Sequence, residues 1–426
     1  MKLVCAPLGT DFKRMEKSDL QVVLYGRPDN SNRGFVGASI KEVIHQSRLR
    51  PDMRAWDLLS IALSVVATDL GVRREASPDG WTRELELSVA VKDAAFWNSQ
   101  KELLEQQLRF LTTDLWHCSF IDGGFSPDSP SDPVMPVEDC ISLLSGGLDS
   151  FVGTLDLVAR ANRKPYLVSQ VALGDKNTQK DFAAKLGEGL QHLQLNHNVH
   201  FPIRNEPSQR ARSFVFLAYG VLLATALKSY YEGEDVILYI CENGFISINP
   251  PLTDGRLGSL STRTTHPVFL QQFQKLLDTG GIRVKIENPY QFRTKGEMLI
   301  ECVDQEVLYR NVHLATSCGR YARNRYRHCG RCIPCLVRRA AILAWGRNDQ
   351  TDYVFDDLSW DDAHHARFDD VRSVAMAIAE VASEGFDSWI GISLNSTLSG
   401  DVTPYRQTVE RGLRELQSFF EAMRIT

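Results

Sequence analysis

Two groups of residues in this chain have the types and spacing that chemistry needs. The first is Ser145-Gly146-Gly147-Leu148-Asp149-Ser150, which follows a short apolar run and opens a helical one. Adjacent glycines let a backbone curl until successive N–H groups point inward as an anion nest. The helix N-terminus behind them adds partial positive charge. Ser145 and Ser150 offer hydroxyls to phosphate oxygens, and Asp149 offers a carboxylate to Mg2+. The plainer alternative is a Gly-Gly turn in which Asp149 or Ser150 only caps a helix. No Gly-Lys-Ser/Thr follows, so this is not a Walker A loop. The second group is Cys318, Cys329, Cys332 and Cys335, four thiolates spaced to close a tetrahedron on structural Zn2+ with no position left for water. The CxxCxxC spacing within it also suits an iron–sulfur cluster, which is the rival to zinc.

The elements that must position these residues alternate. Cys140–Leu144, Tyr166–Leu173, residues 199–203, Val236–Cys241 and Ile282–Ile286 read as strands. Phe151–Ala161, Phe182–Leu193, Ser213–Tyr231 and Pro267–Asp278 read as helices between them. This predicts an α/β parallel sheet covered on both faces, with ligands at the carboxyl ends of its strands. Upstream, Met53–Leu70 and Lys101–Thr113 have helical periodicity, while Arg83–Val91 and Leu115–Ile121 alternate like strands. The Pro- and Ser-rich stretch Phe125–Pro136 separates the halves. The expectation is a smaller α+β domain over 1–125, a linker over 126–137, a catalytic domain over 138–345 and a helical extension over 346–426.

Length supports more than one domain: 426 residues are many for one core. A net charge of -5 gives no global attraction to nucleic acid or an anionic membrane. No apolar run reaches the ~18 residues of a membrane span, and the first residues do not read as a signal peptide. The nine cysteines divide into the cluster and five scattered thiols, a pattern of a reduced compartment, so the cytoplasm is the expected location. Arginines between Cys318 and Arg339 and aspartates from Asp349 to Asp370 read as surface blocks of opposite sign. His364-His365 beside Asp361 and Asp362 reads as an exposed acidic helix rather than a metal site.

The glycine loop and the late Cys329-Gly-Arg-Cys332-Ile-Pro-Cys335 together resemble the PP-loop ATP-pyrophosphatases, and among them QueC, the 7-cyano-7-deazaguanine synthase family. The resemblance runs from about Asp139 to Ala344 and includes Arg212-Ser213-Phe214, Glu242-Asn243-Gly244 and Thr294-Lys295-Gly296-Glu297. Asp57-Leu58-Leu59, Gly80-Trp81, Phe110-Leu111-Thr112 and the stretch from Glu242 to Pro267 are similar to the long, QatC-like members of anti-phage defence operons. The fold implied is a Rossmann-like, adenine nucleotide α-hydrolase-like domain with a zinc-binding C-terminal part.

The resemblance also implies an enzyme using ATP, Mg2+ and Zn2+. Asp149 and Lys295 would be catalytic, and Ser145 to Ser150, Arg212, Ser213 and Lys295 would hold the nucleotide. Glu242, Asn243, Arg263 and His266 would meet a deazaguanine-type substrate. The same residues have simpler readings: Thr294-x-x-Glu297 is a capping box, Ser213 a helix cap, and Arg263 and His266 part of a polar loop. A PP-loop ligase for another carboxylate or a tRNA base is the rival enzyme, and a non-catalytic nucleotide-binding subunit the rival from another class. Residues 1–125 are expected to dock a protein partner from the same operon, or to bury a homodimer face. Their removal is expected to spare ATP activation.

Overall fold

The computed structural model describes residues 1–12, 20–28, 32–171, 176–202, 205–207, 209–253, 263–358, 370–395, 398 and 400–425. The His364-His365 pair with Asp361 and Asp362, residue 203 and the middle of the Glu242–Pro267 stretch lie outside them. Two five-stranded sheets organise the chain. The first holds β1 (Lys2–Pro7), β2 (Leu20–Leu24), β3 (Gly34–Val36), β4 (Glu84–Val91) and β5 (Leu115–Asp122) in the order β3-β2-β1-β4-β5. The second holds β6 (Cys140–Leu143), β7 (Pro165–Gln170), β8 (His192–Leu195), β9 (Val236–Tyr239) and β10 (Val284–Glu287) in the order β10-β9-β6-β7-β8. Every named pairing in both is parallel.

The second sheet is the expected α/β layer. The first corrects the α+β expectation, because its strands are parallel and follow the same plan. Strands β1 to β3 went unread: β3 has three residues, and β1 and β2 are too short to show a period. Gly187 and Gly189, the latter at φ +75°, end the helix Lys176–Leu186 early, so the strand lies at His192–Leu195 and not at 199–203. The long apolar helix stops at Ala224 and resumes only as Lys228–Tyr231.

Packing joins the halves. The helix Met53–Gly71 is buried along nearly its whole length and lies against Arg212–Ala224. One hydrophobic cluster runs from Leu3, Val22 and Leu59 to Leu222, Phe273 and Val284. Phe201 fills the space over Gly34 and Gly71, where a Cβ would stand 2.7 Å from its ring. Beside it, the Phe35 and His200 N–H groups each donate to the other residue's carbonyl at 2.9 Å, extending the edge of β3. At the other end, the helix Thr403–Ala422 packs on Ile333–Trp345 and on the short helix Gly244–Ile248. No helix among the described residues is long and apolar enough to cross a membrane.

Candidate active site

The glycine loop leaves β6 and turns at Gly146, whose φ of +87° an L side chain rarely adopts. Gly147 is the N-cap of the helix Leu148–Ala159, so neither Asp149 nor Ser150 caps it. The serines brace the turn: Ser150 Oγ donates to the Gly147 carbonyl at 3.0 Å, and Gly147 N–H donates to Ser145 Oγ at 3.1 Å. The two hydroxyls are 3.0 Å apart. The result is a tight turn at a helix N-terminus, a place that favours negative charge.

Asp149, 5% exposed, turns inward. One of its carboxylate oxygens accepts from Lys295 Nζ, and the other from Asn243 N–H at 3.2 Å and Asn243 Nδ2 at 2.6 Å. Burial works to raise its pKa, but the Lys295 ammonium overrides it and holds the carboxyl well below the usual range. Lys295 opens the helix Lys295–Glu301, and Thr294 and Glu297 form the expected capping box before it. The lysine itself is no solvated first-turn residue, being 7% exposed. Glu242 follows β9 and faces the same ions; burial and the Asp149 charge push its carboxyl far above the ordinary range. Asn243 links the pair, donating to Glu242 Oε1 at 3.2 Å while its own Oδ1 caps Gly244–Ile248. Both oxygens of Asp149 are thus engaged, one by Lys295 and the other by Asn243.

Two adjoining cavities open here. One, of 330 Å³, is walled by Ser145, Gly147, Gln170, Arg212, Ser213 and Thr265 among others. The other, of 240 Å³, reaches Asp149, Lys295, Ile246 and Ser317. Ser145, Gly147, Ser150, Glu242 and Thr316 line both. The site thus lies at the crevice between β6 and β9, where the order of the sheet reverses.

The four cysteines lie beyond it. Their sulfurs are buried and all within 4.8 Å of one another, with Cys318 to Cys332 and Cys329 to Cys335 both at 3.9 Å. Sulfurs about 2.3 Å from a tetrahedral Zn2+ would stand about 3.8 Å apart, so this set fits zinc. Gly330 turns at φ +83°, and a Cβ there would collide with the Phe355 carbonyl. This knuckle braces the site. Arg338 on the helix Ile333–Trp345 donates to the Ala315 carbonyl at 3.0 Å and to Ser317 Oγ at 3.1 Å. Thr316, held between them, donates its N–H to the Gly146 carbonyl at 2.9 Å.

Ser145 to Ser150, Glu242, Asn243, Lys295, Arg212 and Ser213 therefore converge. Arg263 and His266 are placed otherwise. The Arg263 guanidinium stacks on Phe110, 4.7 Å from the ring centre, and His266 Nδ1 accepts the Val268 N–H at 3.3 Å as a helix cap. Burial, with Arg263 nearby, lowers the His266 pKa to about 3, which suits this acceptor role. Thr264 and Thr265 line the cavity instead. Sequence reasoning missed Gln170, Thr264, Thr265, Thr316 and Ser317. Gln170 is the last residue of β7, and Thr316-Ser317 directly precede the first cysteine, so strand ends and metal flanks were the available signals.

Fold and site together define an α/β cleft at a glycine loop with an attached four-cysteine cluster, consistent with the PP-loop fold. Residues 264–346 match the family model described as queuosine biosynthesis protein QueC. The chain is also 32% identical over 89 residues to a 7-cyano-7-deazaguanine synthase of Methanocaldococcus jannaschii. That stretch is 20% of this chain and 38% of the relative, so well under half of the curated protein is spanned. These matches support a QueC-like family. The model match takes in Lys295 and the cysteines and begins after the glycine loop. No solved structure matches.

Proposed function

We propose that this chain is an ATP pyrophosphatase of the PP-loop type that activates the carboxylate of a 7-deazaguanine. The observation that carries the proposal is the convergence, on one cleft, of the Gly146-Gly147 cradle and Lys295, within a chain whose later part matches QueC. In this reading a carboxylate oxygen of the substrate attacks the α-phosphorus of ATP. The α–β phosphoanhydride bond breaks, and pyrophosphate leaves as an acyl-adenylate forms. The cradle N–H groups and the Lys295 ammonium neutralise charge growing on the leaving group. An amine then attacks the acyl carbon, AMP departs, and loss of a proton leaves an amide. With ammonia as the amine, a second adenylation on the amide oxygen and loss of AMP and a proton would give the nitrile. The finer assignments, a place in anti-phage defence and the N-terminal amine of a partner protein as acceptor, rest on the similarity of the long form. An α-amino group of pKa about 7.7–8.0 is substantially nucleophilic at neutral pH, which supports that acceptor.

The test is incubation with MgATP, 7-carboxy-7-deazaguanine and ammonia, followed by mass spectrometry and nucleotide chromatography. The expected products are AMP, pyrophosphate and a deazaguanine amide or nitrile. ADP and phosphate, or no substrate-dependent AMP, would overturn the assignment.

A further inference from the structure

We infer that Asp69, in the N-terminal half, is a positioning residue for the nucleotide cavity of the second sheet; this rests on the reading of that cavity as the ATP site. Asp69 lies near the end of the helix Met53–Gly71 and is 1% exposed. One of its carboxylate oxygens accepts from Arg83 Nη2 at 2.6 Å. The other turns out of the N-terminal half and accepts the backbone N–H groups of Arg210 at 2.7 Å and Ala211 at 2.9 Å.

Ala211 is the N-cap of the helix Arg212–Ala224, which has no capping side chain of its own. The next two residues, Arg212 and Ser213, are walls of the 330 Å³ cavity. A buried carboxylate from another layer thus fixes the entry of the helix that builds one side of the site, at the positive end of its dipole. The connection before it is fixed the same way. Glu206 donates its N–H to the Leu70 carbonyl at 2.8 Å, and its carboxylate accepts the Arg74 N–H at 2.9 Å. Gly37 N–H reaches the His197 carbonyl at 2.5 Å, and His197 Nδ1 lies 2.8 Å from the side-chain amide nitrogen of Gln170, another cavity wall. Asp69 and Asp114 together balance the buried Arg74 and Arg83, and Asp69 does so through one oxygen, which leaves its second oxygen to the backbone N–H groups of Arg210 and Ala211.

The same helix supplies a matched control. Asp57, also 1% exposed, accepts the N–H groups of Lys92 and Asp93 at 2.8 and 3.0 Å, within the N-terminal half. The experiment compares full-length wild type, Asp69→Asn and Asp57→Asn by ATP binding in equilibrium dialysis and by amide hydrogen exchange of peptides over residues 205–216. Asp69→Asn is expected to weaken ATP binding about tenfold, the scale of a lost charged hydrogen bond. It should also speed exchange in those peptides. Asp57→Asn should lower the melting temperature and change neither readout. ATP affinity within twofold of wild type in folded Asp69→Asn protein, or exchange unchanged at 210–213, would overturn the inference. If Asp69→Asn is insoluble, Glu206→Gln replaces it, with about threefold weaker binding expected and unchanged binding counting against the inference. Wild-type protein that binds no ATP would defeat the reading of the site, while the exchange measurement would still decide whether Asp69 holds this segment.

Discussion

The two sheets are built on one plan. Numbered within each sheet, β3-β2-β1-β4-β5 and β8-β7-β6-β9-β10 both run 3-2-1-4-5, with the reversal between first and fourth strands. At both reversals a buried aspartate accepts backbone N–H groups just past the fourth strand: Asp57 those of Lys92 and Asp93, Asp149 that of Asn243. The difference is what else the carboxylate meets. Trp97 Nε1 donates to Asp57 at 3.2 Å, no lysine ammonium pairs with it among the described residues, and burial pushes its pKa up. Asp149 meets Lys295, which pulls its pKa down, beside a glycine loop and an open cavity. Both crevices are open, one beside a 560 Å³ cavity that Asp57, Lys92, Asp93 and Arg54 line and the other beside the cavities at Asp149; they differ in the partner each aspartate has. The topology supplies the same place in both sheets, and among the described residues only the second carries a buried lysine and two adjacent glycines there.

The strongest way to break this comparison is to separate the sheets. The Pro- and Ser-rich stretch predicts that residues 1–125 can be removed with ATP activation spared, but the helix Met53–Gly71 is buried inside the shared cluster. Deletion would expose the apolar face of Arg212–Ala224 and remove Asp69, so the expected outcome is loss of soluble protein. Recovery of a folded fragment making AMP would show that the halves are independent after all.

Next in size is the metal. Cys332→Ser or Cys335→Ser should remove a contribution on the order of 10 kcal/mol, comparable with a whole domain's net stability. Thr316 and Ser317, anchored through Arg338, should lose their hold on the glycine loop. Elemental analysis should find one zinc per chain in wild type and little soluble variant. An iron chromophore would restore the cluster alternative.

A smaller effect sharpens the contrast between the two aspartates. Removing Asp149 alone would strand the buried Lys295 charge, so the informative variant is Asp149→Asn with Lys295→Met. It should keep its melting temperature near wild type and lose about 10³-fold in AMP formation, the scale of a missing charge-stabilising group. Asp57→Asn should do the reverse, costing about 2 kcal/mol of stability with AMP formation unchanged. Thermal melts and AMP chromatography on both proteins test the pair.

Much of the second sheet was legible because each strand is apolar and each intervening helix long enough to show a period. The glycine loop and the cysteines were legible as local motifs, because each lies within a short stretch of sequence. The first sheet was half-read: β4 and β5 alternate over eight residues, while β1 to β3 are short. The buried partnership of Lys295 with Asp149 was hidden because 146 positions separate them. Asp69 was hidden for the same reason, and nothing near residue 69 signals its partners 141 positions away. Arg263 and His266 show the converse: resemblance marks them for substrate, and in this structure their side chains meet Phe110 and cap a helix.

The smallest prediction concerns how the crevice at Asp149 is kept in shape. The helix Thr403–Ala422 places Glu415 against the start of Lys295–Glu301, where its carboxylate accepts from Thr294 Oγ1 and from the Gly296 N–H at 3.3 Å. A Cβ on Gly296 would stand 2.5 Å from Glu415 Oε1, so glycine is what lets the carboxylate approach. Burial pushes the Glu415 pKa up to about 7 against the hydrogen bonds that favour the charged form. A carboxyl raised on folding contributes stability that is complete below its unfolded pKa of about 4.3 and is lost as pH rises through the folded value near 7. Wild-type protein should therefore lose stability between pH 6 and 8, by about 2–4 °C for an effect on the scale of 1 kcal/mol. Glu415→Gln keeps the shape without the titration and should flatten that slope. Because the Glu415 contacts fall on the first turn that carries Lys295, the variant's KM for ATP should also vary less with pH. Melting curves at pH 5, 6, 7 and 8 on both proteins decide it: parallel slopes would mean that Glu415 does not titrate there. Among the described residues no hydrogen bond joins the Thr403–Ala422 helix to the first sheet, and Asp57→Asn should leave the pH slope as it is in wild type.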